Sequence, residues 1–239
     1  MGMTARPRTI ALVGIDGSGK TTQARMLAAA MTRAGTPARY RQNAGGRARL
    51  GRLAVRLGRE DAVGLLGRRG LLLMESVLRW LAIARTLLRR AVRREVTVMD
   101  RYAVCQYASV RAHRGTAAAE RRARLAYRVF PRPDVTLFLA VDPGVARARI
   151  ELRGRDSESL EYLTAADMAY RQLPEFAEFT VIDANGSPDQ VFDAVQRALG
   201  RPAAPVQRPL RVRSLVLAGA SAVTGAAVSA WQLAESFPA

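Results

Sequence analysis

The chain has 239 residues, of which 38 are basic and 20 acidic, so its formal net charge is +18 at neutral pH. A hydrophobic share of 49% excludes a disordered polyampholyte, while a single Cys excludes an internal disulfide framework and a single His disfavours a Ser-His-Asp triad. Lys20 is the only lysine, so the positive charge comes from arginine and favours anionic partners. The N-terminus has no signal-peptide pattern, and we expect a cytoplasmic protein.

Apolar segments alternate with helical patterns over the first 200 residues. Strands are predicted at 9–13, 37–42, 96–99, 134–141 and 179–182, and helices at 20–34, 71–94, 117–129, 143–152, 162–173 and 188–199. Residues 43–70 are rich in glycine and arginine and show only weak periodicity. Because buried strands that alternate with helices form parallel sheets, we predict an α/β fold with about five parallel strands and helices on both faces.

The composition changes after residue 200. Residues 201–213 contain three prolines and four arginines, which predicts a linker between a domain over 1–200 and a helical tail over 214–239. Residues 214–234 carry no charge over 21 positions, enough to span a bilayer as a helix, although only seven of them are large and apolar. A membrane anchor, a helix docked on the domain and a poorly ordered tail all remain open.

A phosphate-binding loop is the strongest motif in the sequence. The segment Gly14–Thr21 fits the pattern G-x-x-x-x-G-K-[ST] at every fixed position, with an apolar strand before it and a helix after it. Backbone amides of such a loop and the following helix N-terminus hold phosphate oxygens, the lysine contacts the β- and γ-phosphates, and the Thr hydroxyl ligates Mg²⁺. The predicted nucleotide-binding residues are Gly14, Asp16, Gly17, Ser18, Gly19, Lys20, Thr21 and Thr22.

A second candidate group follows the predicted strand at 96–99. Asp100 stands at the carboxyl end of that strand, where a carboxylate beside the phosphate loop can reach Mg²⁺ or its waters. The adjacent Arg101 can clamp an acceptor phosphate. A surface Asp-Arg pair without a role in chemistry is the alternative. Thr21 and Asp100 are therefore the candidate metal ligands.

These motifs, taken in order, resemble the thymidylate kinase family of nucleoside monophosphate kinases. The similarity covers most of residues 9–199 and includes the phosphate loop with Asp16, the turn at 43–46, Asp100-Arg101-Tyr102, and a lid-like Arg153-Gly154-Arg155-Asp156. The resemblance implies a three-layer P-loop NTPase fold, ATP and Mg²⁺ as cofactors, and transfer of the γ-phosphate of ATP to a nucleoside monophosphate, with dTMP as the first candidate. It also implies a homodimer.

The resemblance also assigns roles to individual residues. Arg79, Asp100, Arg101 and Tyr102 would bind the acceptor. Some family members carry an arginine where Gly17 stands, and others supply one from the lid. The residues implied to act in catalysis are Asp16, Lys20, Arg101, Arg153 and Arg155.

The base-binding positions depart from the family pattern. Glu75 stands where the family has a phenylalanine that stacks on thymine, and Cys105-Gln106 replaces a Ser-Ser pair. A kinase of a different phosphorylated acceptor, or a nucleotide-binding regulatory P-loop protein tethered to a membrane through 214–234, therefore remains an alternative. Residues 41–94 contain 14 arginines but few aromatics, so nucleic-acid binding is not favoured.

Overall fold

A computed structural model of the chain describes residues 8–56, 58, 62–93, 95–154 and 158–200. The predicted linker at 201–213 and the predicted tail at 214–239 lie outside the described residues, so the division of the chain into domain, linker and tail stays a prediction. None of the helices within the described ranges combines the length and apolarity needed to cross a bilayer.

Five parallel strands form one sheet, as the sequence predicted. They are β1 (Thr9–Val13), β2 (Ala38–Gln42), β3 (Val96–Asp100), β4 (Val135–Ala140) and β5 (Thr180–Asp183), in the spatial order β2-β3-β1-β4-β5. Every residue of β1 and β3 is buried, because both strands have neighbours on each side. A continuous apolar run, rather than an alternating one, is what a strand covered on both faces requires.

The helices are α1 (Lys20–Arg33), α2 (Arg47–Arg56), α3 (Ala62–Val92), α4 (Ala103–Ala112), α5 (Ala117–Tyr127), α6 (Pro143–Leu152), α7 (Leu160–Arg171) and α8 (Pro188–Ala198), with a short 3₁₀ helix at Pro174–Glu178. Helix α1 packs on β2 and β3 and against α8, while α4 packs against α5 and α7. Helices surround the sheet, which confirms the predicted fold class.

Local capping explains why two helix boundaries were predicted well. Helix α6 begins at Pro143, and the side chain of Asp142 accepts hydrogen bonds from the next two free backbone amides. Helix α8 begins at Pro188, and Ser187 and Gln190 form a reciprocal capping box around that first turn. Proline at the first helical position together with a polar cap is a signal that sequence alone carries.

Two helices were missed, and one was predicted too short. Helix α4 has buried residues around most of its surface, so its sequence lacks the one-sided apolar pattern of a surface helix. Helix α2 lies in the glycine- and arginine-rich stretch whose periodicity was weak. Helix α3 starts nine residues before the predicted position, and its first turns are interrupted by a kink at Gly67, where φ is +67°.

The sheet brings three loops to one edge. Leu12 of β1 and Gln42 of β2 both pair in register with Asp100 of β3, so the three strands end together. The phosphate loop follows β1, the turn at 43–46 follows β2, and Arg101 follows β3. Ligands of open α/β sheets bind at this carboxyl edge.

Candidate active site

The phosphate loop wraps the N-terminus of α1. Gly17 and Gly19 have φ of +82° and +87°, conformations that side-chain-bearing residues rarely adopt, and they turn the loop so that its backbone can face a ligand. The Lys20 Nζ lies 3.7 Å from Asp16 Oδ1 and 3.4 Å from Ser18 Oγ, and it donates a hydrogen bond to the carbonyl of Ile15. The loop therefore places one buried ammonium group at the start of a helix.

A carboxylate at the end of β3 faces the same loop. Asp100 is 1% exposed, and its Oδ2 accepts hydrogen bonds from Thr21 Oγ1 at 2.5 Å and from Tyr40 OH at 3.3 Å. Burial and the nearby Asp100 carboxylate raise the pKa of Tyr40 to about 12, so its hydroxyl stays a donor. These contacts hold the carboxylate in one orientation.

The other oxygen of this carboxylate makes the site fit a metal. Asp100 Oδ1 is buried and has no hydrogen-bond partner, which for a carboxylate oxygen is costly without a cation. Mg²⁺ takes hard oxygen ligands, and proteins usually hold it through one or two carboxylates, hydroxyls and substrate phosphates. Asp100 and Thr21 are thus suited to hold Mg²⁺ beside the phosphate loop.

Asp16 connects the loop to an arginine on the neighbouring strand end. The Arg101 guanidinium pairs with Asp16 Oδ1, and the Asp16 carboxylate raises the pKa of this partly buried guanidinium above its ordinary value. Burial and the neighbouring Arg101 charge lower the pKa of the Lys20 ammonium. Two cations and two carboxylates, including Asp100, are therefore packed together in a charge cluster with capacity for phosphate oxygens.

A second arginine of the cavity, this one buried, comes from α3. Arg79 is 5% exposed, and its Nη1 donates to Gln106 Oε1 of α4 at 2.7 Å. Glu75, one helical turn earlier, is also buried and lines the same cavity. The turn after β2 closes on them, because a Cβ added to Gly45 would lie 3.1 Å from the Glu75 side chain and 3.3 Å from Arg79 Nη2.

Most of the predicted site residues share one cavity of about 580 Å³. Those that line it are Gly14, Asp16, Gly17, Gly19, Lys20, Thr21, Thr22, Arg79, Asp100, Arg101 and Arg153. Ser18 does not line it but lies in the loop beneath Lys20. Arg155 lies outside the described residues. The sequence placed Gln106 at a base-binding position of the family but did not predict its contact with Arg79, because no helix was predicted at 103–112 and this contact is visible only in three dimensions.

Tyr102 is not brought to this cavity. Its hydroxyl donates to the carbonyl of Pro131, and its side chain lines a different cavity beside α5. The physical reason is local. The backbone of Arg101 is left-handed and that of Tyr102 is extended, so the side chains of these consecutive residues point in different directions. We therefore drop Tyr102 from the proposed acceptor site.

A phosphate loop on a parallel sheet, a carboxylate beside it with one oxygen that has no hydrogen-bond partner, and Arg79 and Arg101 in the same cavity define a P-loop phosphotransferase. A family model described as Thymidylate kinase matches residues 12–195. The thymidylate kinase of Xanthomonas campestris pv. campestris (strain B100) is 34% identical over 195 residues, covering 77% of this chain and 78% of that protein.

Two further relatives show the same similarity. The thymidylate kinase of Solidesulfovibrio magneticus is 34% identical over 207 residues, which cover 79% of this chain and 96% of that protein. The thymidylate kinase of Xylella fastidiosa (strain M12) is 33% identical over 213 residues, covering 85% and 88%. The chain belongs to the thymidylate kinase family. It is accordingly a nucleoside monophosphate kinase, and the family uses ATP with Mg²⁺ as the phosphate donor.

Proposed function

We propose that the protein transfers the γ-phosphate of ATP to dTMP, forming ADP and dTDP. The observation that carries the proposal is a single cavity lined both by the phosphate loop with Lys20 and Asp100 and by two arginines, the buried Arg79 and the partly buried Arg101. The first set suits a nucleotide triphosphate with its cation, and the second suits a phosphate monoester. The family membership supports dTMP as the acceptor.

The chemistry asks the protein for positioning and for charge neutralisation. An oxygen of the acceptor phosphate forms the new bond to the γ-phosphorus while the bond from that phosphorus to the ADP oxygen breaks. Because the second pKa of a phosphate monoester is about 6, the attacking oxygen is already ionised at neutral pH and needs no general base. Catalysis then depends on holding two anions in line and on stabilising the charge of the transferring group.

Several residues of the cavity have a proposed role in this phosphate transfer. Lys20 and the amides of the phosphate loop hold the donor phosphates, and Arg79 and Arg101 hold the acceptor phosphate. Asp16 orients Arg101 through their ion pair. Thr21 and Asp100 would hold Mg²⁺, which when bound neutralises charge on the donor phosphates. Residues proposed to stabilise the transferring group from the lid are Arg153 and Arg155.

Arg153 is the lid residue whose position can be described. It follows α6 at the rim of the cavity, where its Nε donates to the carbonyl of Arg149 and its side chain is exposed. Arg149 itself donates to three carbonyls at residues 184–186, so it serves the packing of the domain rather than the cavity. Arg153 is exposed and bonded to one carbonyl through Nε alone, so its terminal nitrogens can approach a bound triphosphate, whereas Arg149 is fixed to three carbonyls through Nη1 and Nη2.

An acceptor panel tests the proposal. ADP release from ATP would be measured with each nucleoside monophosphate, ribose and deoxyribose forms included, and we expect dTMP to give the highest kcat/KM. Failure of every monophosphate to stimulate turnover would reject the kinase function. It would favour the second candidate, a nucleotide-binding regulatory protein.

A different acceptor base is the alternative within the kinase class, and Glu75 favours it. A buried carboxylate in the cavity accepts hydrogen bonds from N–H groups, whereas a stacking aromatic reads only the face of a base. The same panel decides between these acceptors. If Glu75 recognises the base, a monophosphate whose base carries amino groups would give a higher kcat/KM than dTMP. The variant Glu75→Gln, which keeps the shape and removes the charge, would shift the ranking of acceptors only if this carboxylate contacts the base.

We also propose that the kinase acts as a homodimer through α3. This helix exposes large apolar side chains at intervals of four or seven residues, interrupted by the exposed Arg85: Leu73, Val77, Leu81, Leu88 and Val92. A second copy of the helix is the occupant that an isologous dimer of the family would supply. Light scattering of the purified protein tests this, and Leu81→Glu should convert a dimer to monomers.

The remaining proposals concern location and rest on the sequence. We propose that the protein works in the cytoplasm and that residues 214–234 give membrane association. Fractionation of the full chain against a variant ending at residue 200 tests the second point. Recovery of both in the soluble fraction would reject the membrane anchor.

A further inference from the structure

The backbone of Arg101 is held in a strained conformation. Its φ is +75°, in the left-handed region that costs a residue with a side chain about 1–2 kcal/mol. Arg101 N donates to the carbonyl of Leu12 at 3.0 Å, which continues the pairing of β3 with β1. The Arg101 carbonyl accepts from Asn43 Nδ2 at 2.9 Å. Strain of this kind persists where neighbouring groups fix the residue on both sides.

Asn43 is itself fixed by its backbone N–H and by both ends of its side-chain amide. The residue is 0% exposed, its backbone N donates to the carbonyl of Asp100 at 2.9 Å, and its Oδ1 accepts from Thr86 Oγ1 at 3.0 Å. Because the Thr86 hydroxyl occupies the amide oxygen, the amide nitrogen is directed at Arg101. A buried amide with both ends bonded has one orientation.

The hydrogen bonds of Asn43 connect three segments of the proposed acceptor site. Thr86 is buried on α3 seven residues after Arg79, so the two lie on the same side of that helix. Asn43 begins the turn whose Gly45 lies against Arg79. Helix α3, the turn at 43–46 and the strained residue after β3 therefore meet at one buried amide.

We infer that Asn43, held by Thr86, is a positioning residue that keeps Arg101 in its left-handed conformation and its guanidinium at Asp16 in the cavity. The inference rests on the proposed function in one respect, that Arg101 binds the acceptor phosphate. Without the amide donor, the backbone of Arg101 can relax toward negative φ, and its side chain then leaves the position set by the Asp16 pair.

Asn43→Asp is the sharpest variant, because it keeps the shape but turns an oxygen instead of an N–H₂ group toward the Arg101 carbonyl. We expect KM for the acceptor to rise about tenfold to a hundredfold, as misplacing a substrate-binding group does, while KM for ATP changes less than about twofold. If Asn43 had only a structural role, the variant would have a lower midpoint of unfolding and would bind both substrates more weakly to the same extent. Equal effects on both KM values, or none, would overturn the inference.

Two further measurements keep the inference testable whatever the acceptor is. A crystal structure of Asn43→Asp should show Arg101 away from φ of +75° and its guanidinium away from Asp16, and retention of the conformation would refute the inference even if dTMP proves not to be the substrate. If Asn43→Asp does not fold, Thr86→Val should raise the acceptor KM and Thr86→Ser should restore most of it. A Thr86→Val enzyme with an unchanged acceptor KM would overturn the inference.

Discussion

Replacing Gly17 by alanine tests how tightly the phosphate loop is packed against α6. Gly17 has φ of +82°, and an added Cβ would overlap the carbonyl oxygen of Ala146 and lie 2.8 Å from its Cα and its carbonyl carbon. Ordinary carbon contacts are about 3.5–4 Å. The Ala146 atoms belong to the backbone of a helix, so they cannot swing aside as the end of a flexible side chain could.

Two terms give the expected loss of stability. The left-handed backbone of an alanine costs about 1–2 kcal/mol, and forcing extra volume into a packed contact costs about 1–3 kcal/mol, so Gly17→Ala should lower the free energy of unfolding by about 2–5 kcal/mol. Gly35→Ala is the matched control. Its φ is +76°, but no atom lies within 4 Å of the added Cβ, so only the backbone term applies.

Urea denaturation of nucleotide-free protein measures both variants. We expect Gly17→Ala to be less stable than Gly35→Ala by about 1–3 kcal/mol, and its KM for ATP to rise because a loop displaced from α6 no longer presents its amides correctly. Equal destabilisation of the two variants would refute the packing argument. The same overlap leaves no room for an arginine side chain at this position, which agrees with the proposal that arginines of the lid stabilise the transferring group.

Three other predictions follow from single contacts. Asp100→Asn removes the carboxylate proposed to hold Mg²⁺ and should lower kcat/KM at least about a hundredfold, with weaker Mg²⁺ binding to the ATP complex in calorimetry. Gln106→Leu leaves the buried Arg79 Nη1 without its acceptor and should raise the KM for the monophosphate about tenfold, with the KM for ATP unchanged. Hydrogen bonds from Arg111 and Arg124 outweigh the effect of burial and lower the pKa of Glu120 below its ordinary value of 4.5. As the pH falls below about 4.5, the unfolded chain therefore takes up a proton at this residue before the folded chain does, and the folded state loses stability. The melting temperature of Glu120→Gln should therefore fall less than that of the parent between about pH 5 and about pH 3.

The fold could be predicted because its signals are local and contiguous. Strands β1, β3 and β4 are short, mainly apolar runs, whereas β2 is polar (Ala-Arg-Tyr-Arg-Gln), and two helices open with proline and a polar cap. Helix α4 could not be predicted, because a helix buried around most of its surface has no amphipathic period. The phosphate loop was identified because its chemistry lies within eight consecutive residues.

The rest of the site depends on contacts between distant segments. Gln106 lies 27 residues from Arg79, and Thr86 lies 43 residues from Asn43, yet each pair is in hydrogen-bond contact. No spacing rule predicts such pairs, because they form only when the strand order and the kinked path of α3 are known. The direction of a side chain after a strand is equally invisible in sequence, which is why Tyr102 was included and Asn43 was not given a role.

The central claim is that the cavity transfers phosphate from ATP to dTMP, and product identification tests it most directly. Parent protein and Lys20→Ala would be incubated with γ-labelled ATP, Mg²⁺ and dTMP, and the nucleotides separated. We expect labelled dTDP from the parent and at least about a hundredfold less from Lys20→Ala, since the lysine that holds the donor phosphates is gone. Label recovered only as inorganic phosphate, or equal yields of dTDP from both proteins, would contradict the assignment.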